Sequence, residues 1–153
     1  MQCLSIKILG PVAKFLGIHV NKGTSGSYDL DQEEDIVELL RDHELSDANT
    51  TRSPIEADLY EVQDADSELL DNNDACKHAT IGSFQSLVGS LLWSTRCTRP
   101  DVSFAVHKAT LQTHRPRVRD WILAKRIARY LKGTIAMKIE MVPERDTGNA
   151  PTL

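Results

Sequence analysis

Six basic residues crowd the stretch RVRDWILAKRIARYLKGT: Arg117, Arg119, Lys125, Arg126, Arg129 and Lys132. Lys125, Arg129 and Lys132 fall at i, i+4 and i+7, one side of a helix spanning ~10 Å at ~1.5 Å per residue. Lys and Arg placed this way can follow a line of phosphates, because each contact releases condensed counterions. The same spacing also describes a solvated helix back, or a surface for an acidic segment of the chain. Other chemistry is sparse. Cys76 and His78 lack the further ligands of a zinc site. His107 and His114 stand alone. There is no phosphate-cradling P-loop, GxSxG elbow or HExxH pair. The Asp and Glu residues gather in a polar stretch and on an exposed helix, not on rigid elements that could hold two metal ions.

Charge separates along the chain. Between Asp29 and Asp74 the only bases are Arg41 and Arg52; between Lys77 and Lys132 the only acids are Asp101 and Asp120. The net charge of −4 over 153 residues conceals this. Such asymmetry fits a nucleic-acid face or mutual neutralisation of the two halves. Aromatic residues make up only 5% of the chain. A thin core follows, or one completed from outside. The cysteines Cys3, Cys76 and Cys97 are few and scattered, which fits free thiols in a reducing, intracellular compartment. The mildly apolar start, interrupted by Lys7 and Lys14, resembles neither a signal peptide nor a membrane span.

The elements that must position the basic stretch read as mainly α with a small N-terminal β-hairpin, an α+β chain. Lys14–Val20 predicts a strand, residues 21–27 a glycine-bearing loop, and Tyr28–Leu30 the return strand. Asp31 predicts a helix cap, with Glu34 three residues on and a stripe of Ile36, Val37, Leu39 and Leu40. Residues 51–79 are acidic and poor in large apolar groups, which predicts a flexible spacer with a short helix around Asp66–Leu70. Phe84, Leu87, Val88, Leu91 and Leu92 form the face of a second helix capped by Thr80 or Ser83. Gly82, Gly89 and Ser90 in that helix suggest close approach of another backbone. Cys97-Thr98-Arg99-Pro100-Asp101 is a break and a restart. Val102, Ala105, Val106 and Ala109 follow, then a helix from about Arg117 to Lys132 with Trp121, Ala124, Ile127, Ala128 and Leu131 inward. Gly133 ends it. Ile135–Val142 can form a strand, and residues 143–153 a disordered tail. Four units result: 1–50, 51–79, 80–134 and 135–153.

FQSLVGSLLWSTRCTRPDVSFAV, followed by WILAKRIARYLKGT, closely resembles the Pol polyproteins of copia-type retrotransposons. The matching region is the reverse transcriptase after the polymerase palm, and the family pattern runs VGSLxY, CTRPDxxFAV, AKRxxRYLKGT. Upstream, KFLGIHV resembles the family's FLGI segment, so the likeness covers about Gly10 to Thr134. The resemblance implies an incomplete reverse-transcriptase domain: a primer-grip-like hairpin in which Phe15, Leu16 and Gly17 help place the primer end, and a helical thumb or connection whose basic helix holds an RNA/DNA template–primer duplex by its backbone. The family's paired aspartates lie upstream of FLGI and its RNase H acids lie downstream, and neither is present here. The chain is therefore expected to carry no catalytic residue and no metal ligand of its own, although the full family enzyme uses Mg²⁺. The expected partners are a template–primer duplex and the missing parts of a Pol polyprotein, with no membrane. The expected origin is a degraded or truncated element beginning at an internal Met1. A small helical nucleic-acid- or protein-binding module, and a remnant without function, remain the alternative readings.

Overall fold

The computed structural model describes residues 10–23, 26–56, 68–72 and 79–143. Four short strands, β1 (Lys14–Phe15), β2 (Ile18–Lys22), β3 (Tyr28–Asp31) and β4 (Ile139–Met141), form one antiparallel sheet in the order β1-β2-β3-β4. Helices α1 (Glu33–Asp42), α2 (Ile81–Cys97), α3 (Ser103–Thr110) and α4 (Val118–Gly133) make the body, with a 3₁₀ turn at Pro100–Val102 leading into α3. The α+β class expected from the sequence holds.

Every helix sits where its apolar spacing puts it. Phe84, Leu87, Val88 and Leu91 of α2 are buried against Val102, Ala105, Val106 and Ala109, and against Trp121, Ala124, Ile127, Ala128 and Leu131 of α4. Ile36, Leu39 and Leu40 of α1 complete the cluster. No residue of the four strands belongs to this core.

Two stripe positions are corrected. Val37 and Leu92 are exposed, 43% and 37%, while Ser94 is buried. The buried positions of α2 are 84, 87, 88, 91 and 94, so the inward face ends on Ser94 and not on Leu92. Ser94 satisfies its hydroxyl on the Ser90 carbonyl at 3.3 Å. The close approach expected at Gly89 does not occur, since a Cβ there would meet nothing within 4 Å. Gly89→Ala should therefore stabilise the protein by up to about 1 kcal/mol, the helix propensity difference, measured by urea unfolding.

Lys14–Val20 is not one strand. It reverses at Leu16–Gly17, where φ is +50° and +82°. Phe15 pairs with Ile18 across this two-residue turn. Positive φ at both central positions is the geometry that matches the twist of a hairpin. Asp31 closes β3, and Gln32 takes the N-cap position of α1 without a side-chain cap bond. The Asp31 carboxylate still accepts from the Glu33 N–H at 3.4 Å. Of the helix expected around Asp66–Leu70, residues 66–67 lie outside the described residues, and Leu69 is extended, bridging to Arg117. The Leu70 N–H donates to the Pro116 carbonyl and the Val118 N–H to that of Glu68, both at 2.9 Å. Leu70 is buried, an apolar anchor in an acidic stretch. Most of residues 143–153 lie outside the described residues.

Candidate nucleic-acid interface

Helix α4 begins on a one-sided cap, with Asp120 at its third position reaching back to the Arg117 backbone. The Arg117 N–H donates to the Asp120 carboxylate at 2.7 Å. Arg119 Nε stands 3.8 Å from the other Asp120 oxygen, with its side chain 20% exposed. Lys125 lies over the Trp121 ring, 5.3 Å from its centroid, close enough for the ring's negative face to attract the ammonium. The remaining three cations face the connection after α1. Lys132 Nζ donates to the carbonyls of Ser46 and Ala48 at 2.5 and 2.9 Å. Arg129 Nε donates to the Asn49 carbonyl at 2.5 Å. Arg126 Nη1 pairs with Glu56 at 2.7 Å, and the Thr51 hydroxyl donates to the Arg126 carbonyl. Residues 46–56 thus run down α4 as the cations run up it. Thr50 packs on Gly133, where a Cβ would come within 3.1 Å.

The cause is elementary. Between helices the backbone carbonyls have no ladder partner, and each needs a donor. The long cationic side chains on the adjoining helix face supply them. Sequence spacing places these side chains on one face but does not reveal that a strap of the same chain occupies it. All six basic residues are half-buried, and three of them hold residues 46–56.

Phe15, Leu16 and Gly17 come together at the tip of the first hairpin. Phe15 and Leu16 are 62% and 64% exposed. Gly17 presses on α1, and a Cβ built there would run into the Asp35 carboxylate. Lys14 bonds Glu34 at 2.6 Å, and that bond above all holds the Glu34 carboxyl below its ordinary range and the Lys14 amine above its own. His19 bridges Asp31 at 3.1 Å and Glu34 at 3.2 Å. Beside it an open groove is lined by Asp31, Glu33, Glu34 and Glu38. His19 and Arg41 line the same groove among these acids.

One cluster went unread in the sequence as a site. Arg99 is 1% exposed. Its Nε and Nη2 grip both Asp101 oxygens at 3.0 and 2.8 Å. Nη1 donates to the Thr134 carbonyl at 3.1 Å and Nη2 to its hydroxyl at 2.6 Å. The Tyr130 ring lies 5.7 Å from the guanidinium, and its hydroxyl bonds Asp101. Next to it, buried Thr98 donates to Gln32 at 2.9 Å. The CTRPD and RYLKGT stretches therefore meet in one polar knot, which ties the start of α3 to the end of α4. Its signal in the sequence is an arginine beside a helix-starting proline, with an acid two residues on.

Among the described residues, no three His, Cys, Asp or Glu side chains gather into a group that could hold a metal ion. Nor is any described helix long and apolar enough to cross a membrane. Cys97 is a free thiol that burial pushes above its usual range, with Asp35 adding to the shift.

No family model and no solved structure matches the chain. Among curated proteins it is 34% identical to an uncharacterized mitochondrial protein of Arabidopsis thaliana, over 86% of this chain and 50% of that protein. It is 29% identical to the retrovirus-related Pol polyprotein from transposon TNT 1-94 of Nicotiana tabacum, over 87% of this chain and 10% of the polyprotein. The Pol polyprotein from transposon RE1 of Arabidopsis thaliana is 30% identical over 87% of the chain and 8% of its own length. The chain spans about half the length of the mitochondrial relative and about a tenth of the Pol polyproteins. Over most of its length, the protein is a homologue of the Pol polyproteins of copia-type retrotransposons.

Proposed function

We propose that the chain is the part of a reverse transcriptase that follows the polymerase palm, a primer-grip-like hairpin and thumb-like helices that bind template–primer duplex and do not copy it alone. One observation carries the reading. Leu16 is a bulky residue held at φ +50° and 64% exposed, beside exposed Phe15. A left-handed leucine costs about 1–2 kcal/mol, and such strain persists where a surface is used. Homology to Pol polyproteins supplies the class of ligand. The Mg²⁺ of the full enzyme finds no ligand cluster among the described residues, so no step here runs through it.

Arg126, Arg129 and Lys132 hold the strap on α4, and the phosphate contacts are assigned to Arg117, Arg119 and Lys125. Titration of a labelled RNA–DNA template–primer should then give log K against log salt a slope of about −3, at ~−0.9 per phosphate, where six contacts would give about −5. A flat response overturns duplex binding. Leu16→Asn creates the Asn-Gly pair that such turns favour. It should stabilise the fold by about 1 kcal/mol while weakening binding to the primer end. Unchanged affinity would remove the hairpin from the interface.

A further inference from the structure

Two cations of α4 are held in place without being satisfied. The Lys125 ammonium is drawn over the Trp121 ring, and a ring face leaves its three N–H donors without an oxygen or nitrogen acceptor. Arg129 holds the Asn49 carbonyl through Nε alone, so the Nη groups of its fork keep their donors. Among the described residues neither Lys125 Nζ nor the Arg129 Nη groups have an acceptor. Their neighbours differ: Arg126 is paired with Glu56, and Lys132 donates to two carbonyls. Lys125 and Arg129 line one hollow with Leu45, Ala48 and Asn49, between α4 and the connection after α1. Its volume is about 340 Å³, the low end for a small-molecule site. Its described lining holds no carboxylate.

We infer that this hollow is a binding site for a phosphate monoester of mononucleotide size. A guanidinium fork and an ammonium facing one space are the groups that hold a phosphate. Both side chains are half-buried, and salt screens such charges less than exposed ones. Both are already positioned, one by a ring and one by a carbonyl, so little side-chain freedom is lost on binding. Leu45 and Ala48 offer an apolar wall to the organic part of the ligand. The surroundings set its extent. Asp42 and Glu44 line the adjoining groove, which shares Leu45 and Lys125 with the hollow. His43 stands there too, and burial holds its imidazole below the ordinary range, so it is uncharged at neutral pH and does not offset them. One phosphate group therefore meets two cations, whereas a further phosphate along the groove would meet two acids. A terminal phosphate of this kind is carried by a free nucleotide and by the end of a nucleic-acid strand. The inference does not rest on duplex binding. A flat salt response with template–primer would leave it standing.

The test adds inorganic phosphate, adenosine monophosphate or adenosine to the full chain and follows the NMR signal of the Arg129 Nε–H. Phosphate and the monophosphate should each shift it along a saturable curve, the monophosphate with a Kd below ~1 mM. Adenosine should leave it unmoved. Lys125→Gln should weaken the monophosphate about tenfold while shifting Tm by less than ~3 °C. Arg129→Lys keeps the charge and loses the fork, and should weaken it as well, read from the phosphorus line of the ligand. Arg96→Gln, which removes an exposed cation of α2, should change nothing. A short single strand, with and without a terminal phosphate, then competes for the site. Displacement by the phosphorylated strand alone assigns the site to strand ends, and displacement by neither assigns it to free nucleotides. Equal displacement by both strands would overturn the inference, because ordinary backbone phosphates would then suffice. Adenosine bound as tightly as its monophosphate, no binding of the monophosphate, or equal losses at Arg96 and Lys125 would overturn it too.

Discussion

Phe84→Ala should destabilise the protein by about 4 kcal/mol, a sizeable share of the ~5–15 kcal/mol that holds a domain together. Phe84 is fully buried at the head of α2, where that helix meets its neighbours. Truncation removes the transfer energy of a benzyl group and leaves a cavity that rigid helices on several sides cannot close. Urea titration should show a lower midpoint at an unchanged slope. The fall in Tm should be about 8–16 °C at ~2–4 °C per kcal/mol. Phe104→Ala is the control. Phe104 is 57% exposed, with the Lys108 ammonium 6.0 Å from its ring centroid. Its loss should cost no more than about 1 kcal/mol. Similar losses at the two positions would mean that the core is not where the fold puts it.

The contrast between the two phenylalanines was legible in the sequence, because Phe84 opens an i, i+3, i+4, i+7 run and Phe104 falls outside the Val102–Ala109 stripe. Periodicity reports on one helix at a time, and its failures follow from that. It placed Leu92 inward because it could not know that α1, α3 and α4 all contact α2 and end its buried stripe on Ser94. It missed the turn at Leu16–Gly17 because leucine is a costly choice there. The proposed function offers a reason for that choice. The pairing of β4 with β3 joins Leu30 to Ile139, a separation no local pattern encodes. The basic face of α4 was visible in the sequence, and so was the polar run after α1. That the one straps the other depends on carbonyls in need of donors, which a residue alphabet does not display.

The Arg99 knot is the other place where a single change should tell. Arg99→Met keeps the bulk and removes the charge, and should cost about 3 kcal/mol, the low end for breaking a buried pair. The low end applies because Asp101 is 27% exposed and can draw on water. Arg99→Lys should recover less than half, since one ammonium cannot span both Asp101 oxygens and Thr134. Adding Asp101→Asn to Arg99→Met should cost little more, a non-additivity of about 1 kcal/mol or above. The dependence on pH has a definite sign. Burial alone would push the Asp101 carboxyl up, but the Arg99 hydrogen bonds and charge outweigh it and bring it below the ordinary range. A carboxyl lowered in the folded state contributes stability that is complete above its unfolded value, about 3.9, and is lost as pH falls through the folded value. The Tm difference between the native protein and Arg99→Met should therefore stay level from about pH 7 to 5 and close only below about pH 4. A difference that narrowed already near pH 6 would point to a histidine, the side chain that titrates in that range. The guanidinium would then be a spectator in a knot held by Thr98 and Thr134.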